Sequence, residues 1–161
     1  MATREDEYNL WLIVGLSIFA SLAAGGAVVV YQKIRGIRNN NPGNIRLSAT
    51  KWQGMADAQT DGAFIQFVSP EYGIRAMARI LNNYAASGYR TIRQVITRWA
   101  PPSENDTEAY IRSVSSAVGV ADNVPLDLRT QLNPLIKAII RHENGIQPYS
   151  DDTINAGIAL A

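Results

Sequence analysis

From Leu10 to Val30 the chain runs for 21 residues without a charged side chain. This stretch limits how much of the molecule can join a globular core. About 20 apolar residues cross the hydrocarbon of a bilayer, so a transmembrane helix is predicted over residues 10–31, with Trp11 and Tyr31 at its interfacial ends. A cleaved signal peptide is the competing reading. Against it, the leading Arg4-Glu5-Asp6-Glu7 is acidic, and the run is long for a signal core. Ser17, Ser21 and Gly25 recur every four residues, a small-residue stripe of the kind through which membrane helices self-associate. The predicted organisation is an acidic tail at 1–9, the span at 10–31, and one domain at 32–161 long enough to bury its own core.

Charge divides along the same line. The net charge of +1 conceals a domain with 14 of the 15 Lys+Arg and 11 of the 14 Asp+Glu. So mild an excess suits an anionic wall polymer or a membrane surface and is too diffuse for nucleic-acid binding. Lys33, Arg35 and Arg38 follow the span, which by the positive-inside rule would hold the domain on the cytoplasmic side. With no cysteine and one histidine, disulfides and thiolate metal sites are excluded and a protein-ligated zinc is disfavoured. No cofactor is implied.

The segment Arg38-Asn39-Asn40-Asn41-Pro42-Gly43-Asn44-Ile45 forms neither helix nor regular strand. Asn and Gly tolerate positive φ and Asn side chains bond nearby backbone, so a polar, self-braced turn is predicted, either a recognition loop or a plain connector. Residues 36–62 are turn-rich, and Phe64-Ile65-Gln66-Phe67 is a candidate short strand. Helical signals follow. Ser69 and Pro70 begin one helix, which Gly88 ends, and Thr91 caps a second carrying Ile92, Val95, Ile96 and Trp99, stopped by Pro101-Pro102. Asp106 or Asn105 begins a third, closed by Gly119. A short helix is predicted after Pro125, and Asn133-Pro134 is read as the start of a final helix ended by Asn144-Gly145.

On that final helix Glu143 extends the stripe of Ile136, Ile139 and Ile140. Partial desolvation and the negative end of the helix dipole would both raise its pKa. A carboxyl kept protonated near neutrality is what general-acid cleavage of a glycosidic bond needs. The alternative is an outward Glu143 paired with Arg141 or His142.

The run Asn40-Asn41-Pro42-Gly43-Asn44-Ile45-Arg46, then Trp52-Gln53-Gly54, Phe64-x-x-Phe67, Gly73-Ile74-Arg75-Ala76 and Leu81-x-x-Tyr84, resembles the part of peptidoglycan glucosaminidases and lytic transglycosylases that follows their catalytic helix. Asp106-Thr107-Glu108-Ala109-Tyr110-Ile111-x-x-Val114 resembles the transglycosylase segment whose Tyr lies beside the catalytic Glu. The likeness covers residues 37–118 and implies a lysozyme-like domain. In that superfamily the Glu precedes the asparagine turn, whereas here Glu143 follows it, so the resemblance implies a circular permutation. The arrangement also looks like membrane-anchored virion proteins of bacterial viruses that carry lysozyme-like domains.

The expected fold is therefore mainly α, a transmembrane helix followed by a lysozyme-like α+β domain with a small irregular or β lobe. The expected function is a virion-associated muramidase or lytic transglycosylase aiding penetration of the host wall, with Glu143 as general acid and base. The alternative is an inactive structural membrane protein of the virion. Asn41, Asn44, Ile45, Trp52, Tyr110 and Tyr149 are the candidate glycan contacts, the aromatic ones either stacking on sugars or simply packing. Asp57 and Asp61 could offer a second carboxylate or be ordinary turn residues. Expected partners are peptidoglycan strands, a virion or host inner-membrane bilayer, virion proteins and a second copy. Expected localisation is single-pass in a bacteriophage membrane.

Overall fold

A computed structural model describes residues 33–103 and 106–161 of the chain. The predicted span at 10–31, with Trp11, Tyr31, Ser17, Ser21 and Gly25, lies outside the described residues, as do Glu104 and Asn105. Among the described residues no helix is long and apolar enough to cross a membrane.

The described architecture is helical: α1 (Arg35–Arg38), α2 (Pro70–Ala86), α3 (Ile92–Trp99), α4 (Thr107–Val118), α5 (Leu128–Asn144) and α6 (Asp151–Ala159). The expected fold class is corrected on this point. Where an α+β domain with a small irregular or β lobe was anticipated, the described residues are helical and hold no strand, only isolated antiparallel bridges, Arg46 to Phe64, Met55 to Phe67 and Thr91 to Pro125. Phe64–Phe67 is no strand.

Side-chain amides account for the difference. They bond backbone groups that a ladder would otherwise pair. Gln66 Oε1 accepts from the backbone N–H of Thr60 at 2.6 Å and of Asp61 at 3.1 Å. Gln59 donates to the carbonyls of Ala56 and Gln66, both at 2.8 Å, and accepts from Gln66 N–H at 2.8 Å. The lobe is stapled by glutamines around a small cluster of Ile65, Phe67 and Ala76, with Ile45, Trp52, Met55 and Tyr72 against it.

Helix ends follow local chemistry. Thr91 accepts from Gln94 N–H in a capping box, Asp106 caps α4 through Ala109 N–H, and Gly119 and Gly145 end α4 and α5 at φ 73° and 71°. Two expectations about the C-terminal third fail. Asn133-Pro134 does not start a helix: α5 runs unbroken from its Asp127 cap through Pro134. An interior proline forfeits one backbone bond, a cost of ~3 kcal/mol. That loss is offset because Leu132, Leu135, Ile136, Ile139 and Ile140 all lie in the core. A final helix, α6, capped by Ser150 through Thr153 N–H, follows it.

The main core joins α2 through α6 around Ile74, Met77, Leu81, Ile92, Ile96, Ile111, Val114, Leu135, Ile136 and Ile154. α2 packs mostly on α6, and α4 on α5 and α3. The short α1 meets the end of α5, which brings the asparagine turn against the last residues of the longest apolar stripe.

Candidate functional site

The asparagine turn is braced as its composition predicts. Asn40 and Asn44 take φ of 49° and 47°, a region Asn tolerates far better than other non-glycine residues. Asn41 is fully buried. Its amide donates to the carbonyls of Ile45 and Ile65, both at 2.9 Å, and its oxygen accepts from Ile45 N–H at 2.9 Å. Asn40 donates to Phe67 carbonyl at 3.0 Å. The turn is thus fastened to the lobe and projects Asn44 away from it.

Asn44 meets Glu143. The Glu143 carboxyl is half-buried and gathers three donors from three separate parts of the chain. Oε1 accepts from Trp99 Nε1 at 3.1 Å and from the Tyr110 hydroxyl at 2.9 Å. Oε2 accepts from Asn44 Nδ2 at 3.1 Å. Beside it Asn144 donates to the carbonyls of Pro42 at 2.7 Å and Ile140 at 2.9 Å, tying the helix end to the turn. Asn144 Oδ1 is buried with no N–H or O–H partner among the described residues. It faces Gly36, where a β-carbon would lie 2.3 Å from it and 2.8 Å from Asn44 Oδ1. Only a glycine lets α1 close over these two amides.

Desolvation raises the Glu143 pKa, while hydrogen bonds from Asn44, Tyr110 and Trp99 pull it back down. Burial, with the neighbouring carboxyl adding to it, pushes the Tyr110 hydroxyl well above its ordinary value, so Tyr110 stays a donor. His142, the next residue along α5, stacks on the Tyr110 ring at a centroid distance of 3.5 Å and 12° between planes. Burial lowers the His142 pKa and the charge of Asp106 raises it. The result is one desolvated carboxyl, oriented by three neutral donors.

Of the candidate contacts, Asn44 and Tyr110 converge on Glu143. Ile45 packs at the junction of the two apolar clusters, and Asn41 serves as an internal brace. Trp52 belongs to the lobe cluster. Tyr149 packs on the main core, its hydroxyl buried and without a partner among the described residues, with burial and then Glu71 pushing its pKa up to about 12. Asp57 is exposed. Asp61 is buried and engaged by Arg35 through two bonds of 2.7 Å and by Asn39 at 2.8 Å. The Arg35 guanidinium holds its carboxyl far below the usual range, so it acts as an ionic clamp on the turn. Trp99, Gly36 and Asn144 were missed by sequence reading. Trp99 was read as one more apolar position, although a sheltered indole usually requires an acceptor for its N–H.

No protein-family model matches the chain. The chain is similar to Protein P5 of Pseudoalteromonas phage PM2, 40% identical over 149 residues that cover 87% of this chain and 92% of that protein.

Proposed function

Because this chain belongs to the same family as Protein P5 of Pseudoalteromonas phage PM2, a bacteriophage protein, we propose that it is a structural component of a phage virion. We propose further that its helical domain acts on the glycan strands of the bacterial wall. Kinship supports the first statement. The second rests on one observation, the half-buried Glu143 carboxyl held by Trp99, Tyr110 and Asn44.

A raised carboxyl pKa suits general-acid protonation of a glycosidic oxygen. In the proposed reaction Glu143 protonates the bridging oxygen of a MurNAc–GlcNAc β-1,4 bond. The resulting carboxylate then takes a proton from the hydroxyl that adds at C1, either of water or of the sugar itself. Asn44, adjoining the carboxyl from the asparagine turn, is the proposed glycan contact. The junction of the Glu143 helix end with that turn, in reversed chain order, is what a circularly permuted transglycosylase-type site requires, and it favours this chemistry over other uses of a buried acid.

A second reading keeps the virion role without catalysis: the domain packs or binds in the particle, and Glu143 only ties three parts of the chain together. The observation favouring it is that three donors of the chain itself, Trp99, Tyr110 and Asn44, already bond the carboxyl. Zymography of the full chain against purified murein separates the two. Clearing by wild type and none by Glu143→Gln supports the enzyme. Equal clearing by both would end the role of Glu143, and no clearing by either would leave the structural reading.

A further inference from the structure

The two oxygens of Glu143 are not equivalent. Oε1 carries two donors, Trp99 Nε1 at 3.1 Å and the Tyr110 hydroxyl at 2.9 Å. Among the described residues Oε2 carries only the Asn44 amide at 3.1 Å, and that amide also lies 3.5 Å from the Glu143 backbone carbonyl. Two donors on one oxygen favour its carbonyl form, because a protonated oxygen is the poorer acceptor. Asn44 has the backbone carbonyl as a second acceptor and can release Oε2 without leaving its own N–H unpaired.

We infer that Trp99 is a positioning residue, whose indole N–H fixes Oε1 as the carbonyl oxygen and leaves Oε2 as the oxygen that carries the transferred proton. This inference rests on the proposed glycosidase reading for its catalytic meaning. The step balances as follows. The Oε2 proton passes to the bridging oxygen, which takes the electron pair of its breaking C1–O bond. The incoming hydroxyl oxygen bonds C1 and returns its proton to Oε2. Trp99 is aimed by packing: Gly43, on the turn, lies so close that a β-carbon there would meet Trp99 Cζ2 at 3.0 Å. Among the described residues, the titratable groups facing this end are Tyr110 from α4 and His142 from α5, with Asp106 acting on His142.

The test follows the Trp99 indole N–H resonance of the full chain by NMR across pH, in wild type and Glu143→Gln. The expected result is a titration with one midpoint above that of an ordinary carboxylate, absent in Glu143→Gln. An indole signal unmoved by pH, or moving equally in both proteins, overturns the inference. A second arm uses Trp99→Phe, which keeps an aromatic ring and loses the N–H. Removing a donor to the ionised form moves the falling high-pH limb of murein cleavage up by about one pH unit and lowers kcat about tenfold or more with KM little changed. A limb that stays put in a folded Trp99→Phe protein also overturns it. If wild type releases nothing from murein, the glycosidase reading falls while the indole titration still decides whether Trp99 holds the carboxyl.

Discussion

Two carboxyls near the asparagine turn respond to their surroundings in opposite ways, and pH separates them. Desolvation raises the folded-state pKa of Glu143, so its contribution to stability is complete below the ordinary carboxylate range and is lost as pH rises through the folded value. Asp61, lowered chiefly by Arg35, contributes above the ordinary carboxylate value and loses that contribution as pH falls below it. Melting curves across pH should therefore show Glu143→Gln gaining on wild type as pH rises from 4 toward neutrality. Asp61→Asn should cost about 2 kcal/mol at pH 7 and lose less than wild type below pH 4. A Glu143→Gln protein that loses ground with rising pH would contradict the desolvated carboxyl. Gly36 constrains the same junction by space and not by charge. Gly36→Ala would drive a methyl into the two amides that border Glu143 and should cost about 2 kcal/mol by thermal unfolding, with a larger proportional loss of any murein cleavage.

At the scale of elements, helix ends were legible wherever a side chain bonded the backbone nearby. Thr91, Asp106, Gly119 and Gly145 marked boundaries that the structure keeps, and the positive φ of Asn40 and Asn44 was written in their chemistry. The stripe of Ile136, Ile139 and Ile140 ending in Glu143 was equally readable. Misreadings arose where tertiary burial outweighed a local signal. Pro134 suggested a start, yet the packing of α5 absorbs its missing bond, so Pro134→Ala should stabilise the protein by about 1–2 kcal/mol. α6 was overlooked although Ser150-Asp151-Asp152 offers both a cap and an acidic first turn. Its short stripe of Ile154 and Ile158 gave the weaker signal. α6 seats on α2 through Gly157, where a β-carbon would lie 2.6 Å from Ile74 Cγ2 and 2.8 Å from Glu71 carbonyl. Alanine gains ~1 kcal/mol in helix propensity over glycine, but the collision with the buried Ile74 side chain and the Glu71 carbonyl should win, leaving Gly157→Ala less stable by about 1–2 kcal/mol. Trp99 could not be assigned to the site from sequence because its partner lies on another helix.

Across the whole molecule, a glutamine-stapled lobe and a helical core meet where the asparagine turn touches the end of α5. Nothing local to residues 38–45 or to 135–145 announces that they are neighbours. The turn and the end of α5, 99 residues apart in the chain, meet where Asn44 donates to the Glu143 carboxyl at 3.1 Å. Kinship with a protein of phage PM2 supports a place in a virion and leaves the chemistry to be tested on the molecule itself. The most direct measurement is chromatography with mass analysis of soluble muropeptides released from purified murein by the full chain, wild type beside Glu143→Gln. Glycan fragments cut at the MurNAc–GlcNAc bond by wild type, and at least a hundredfold fewer from a folded Glu143→Gln protein, are predicted from loss of a general acid. Equal release by the two proteins, or none by wild type, would contradict a catalytic Glu143.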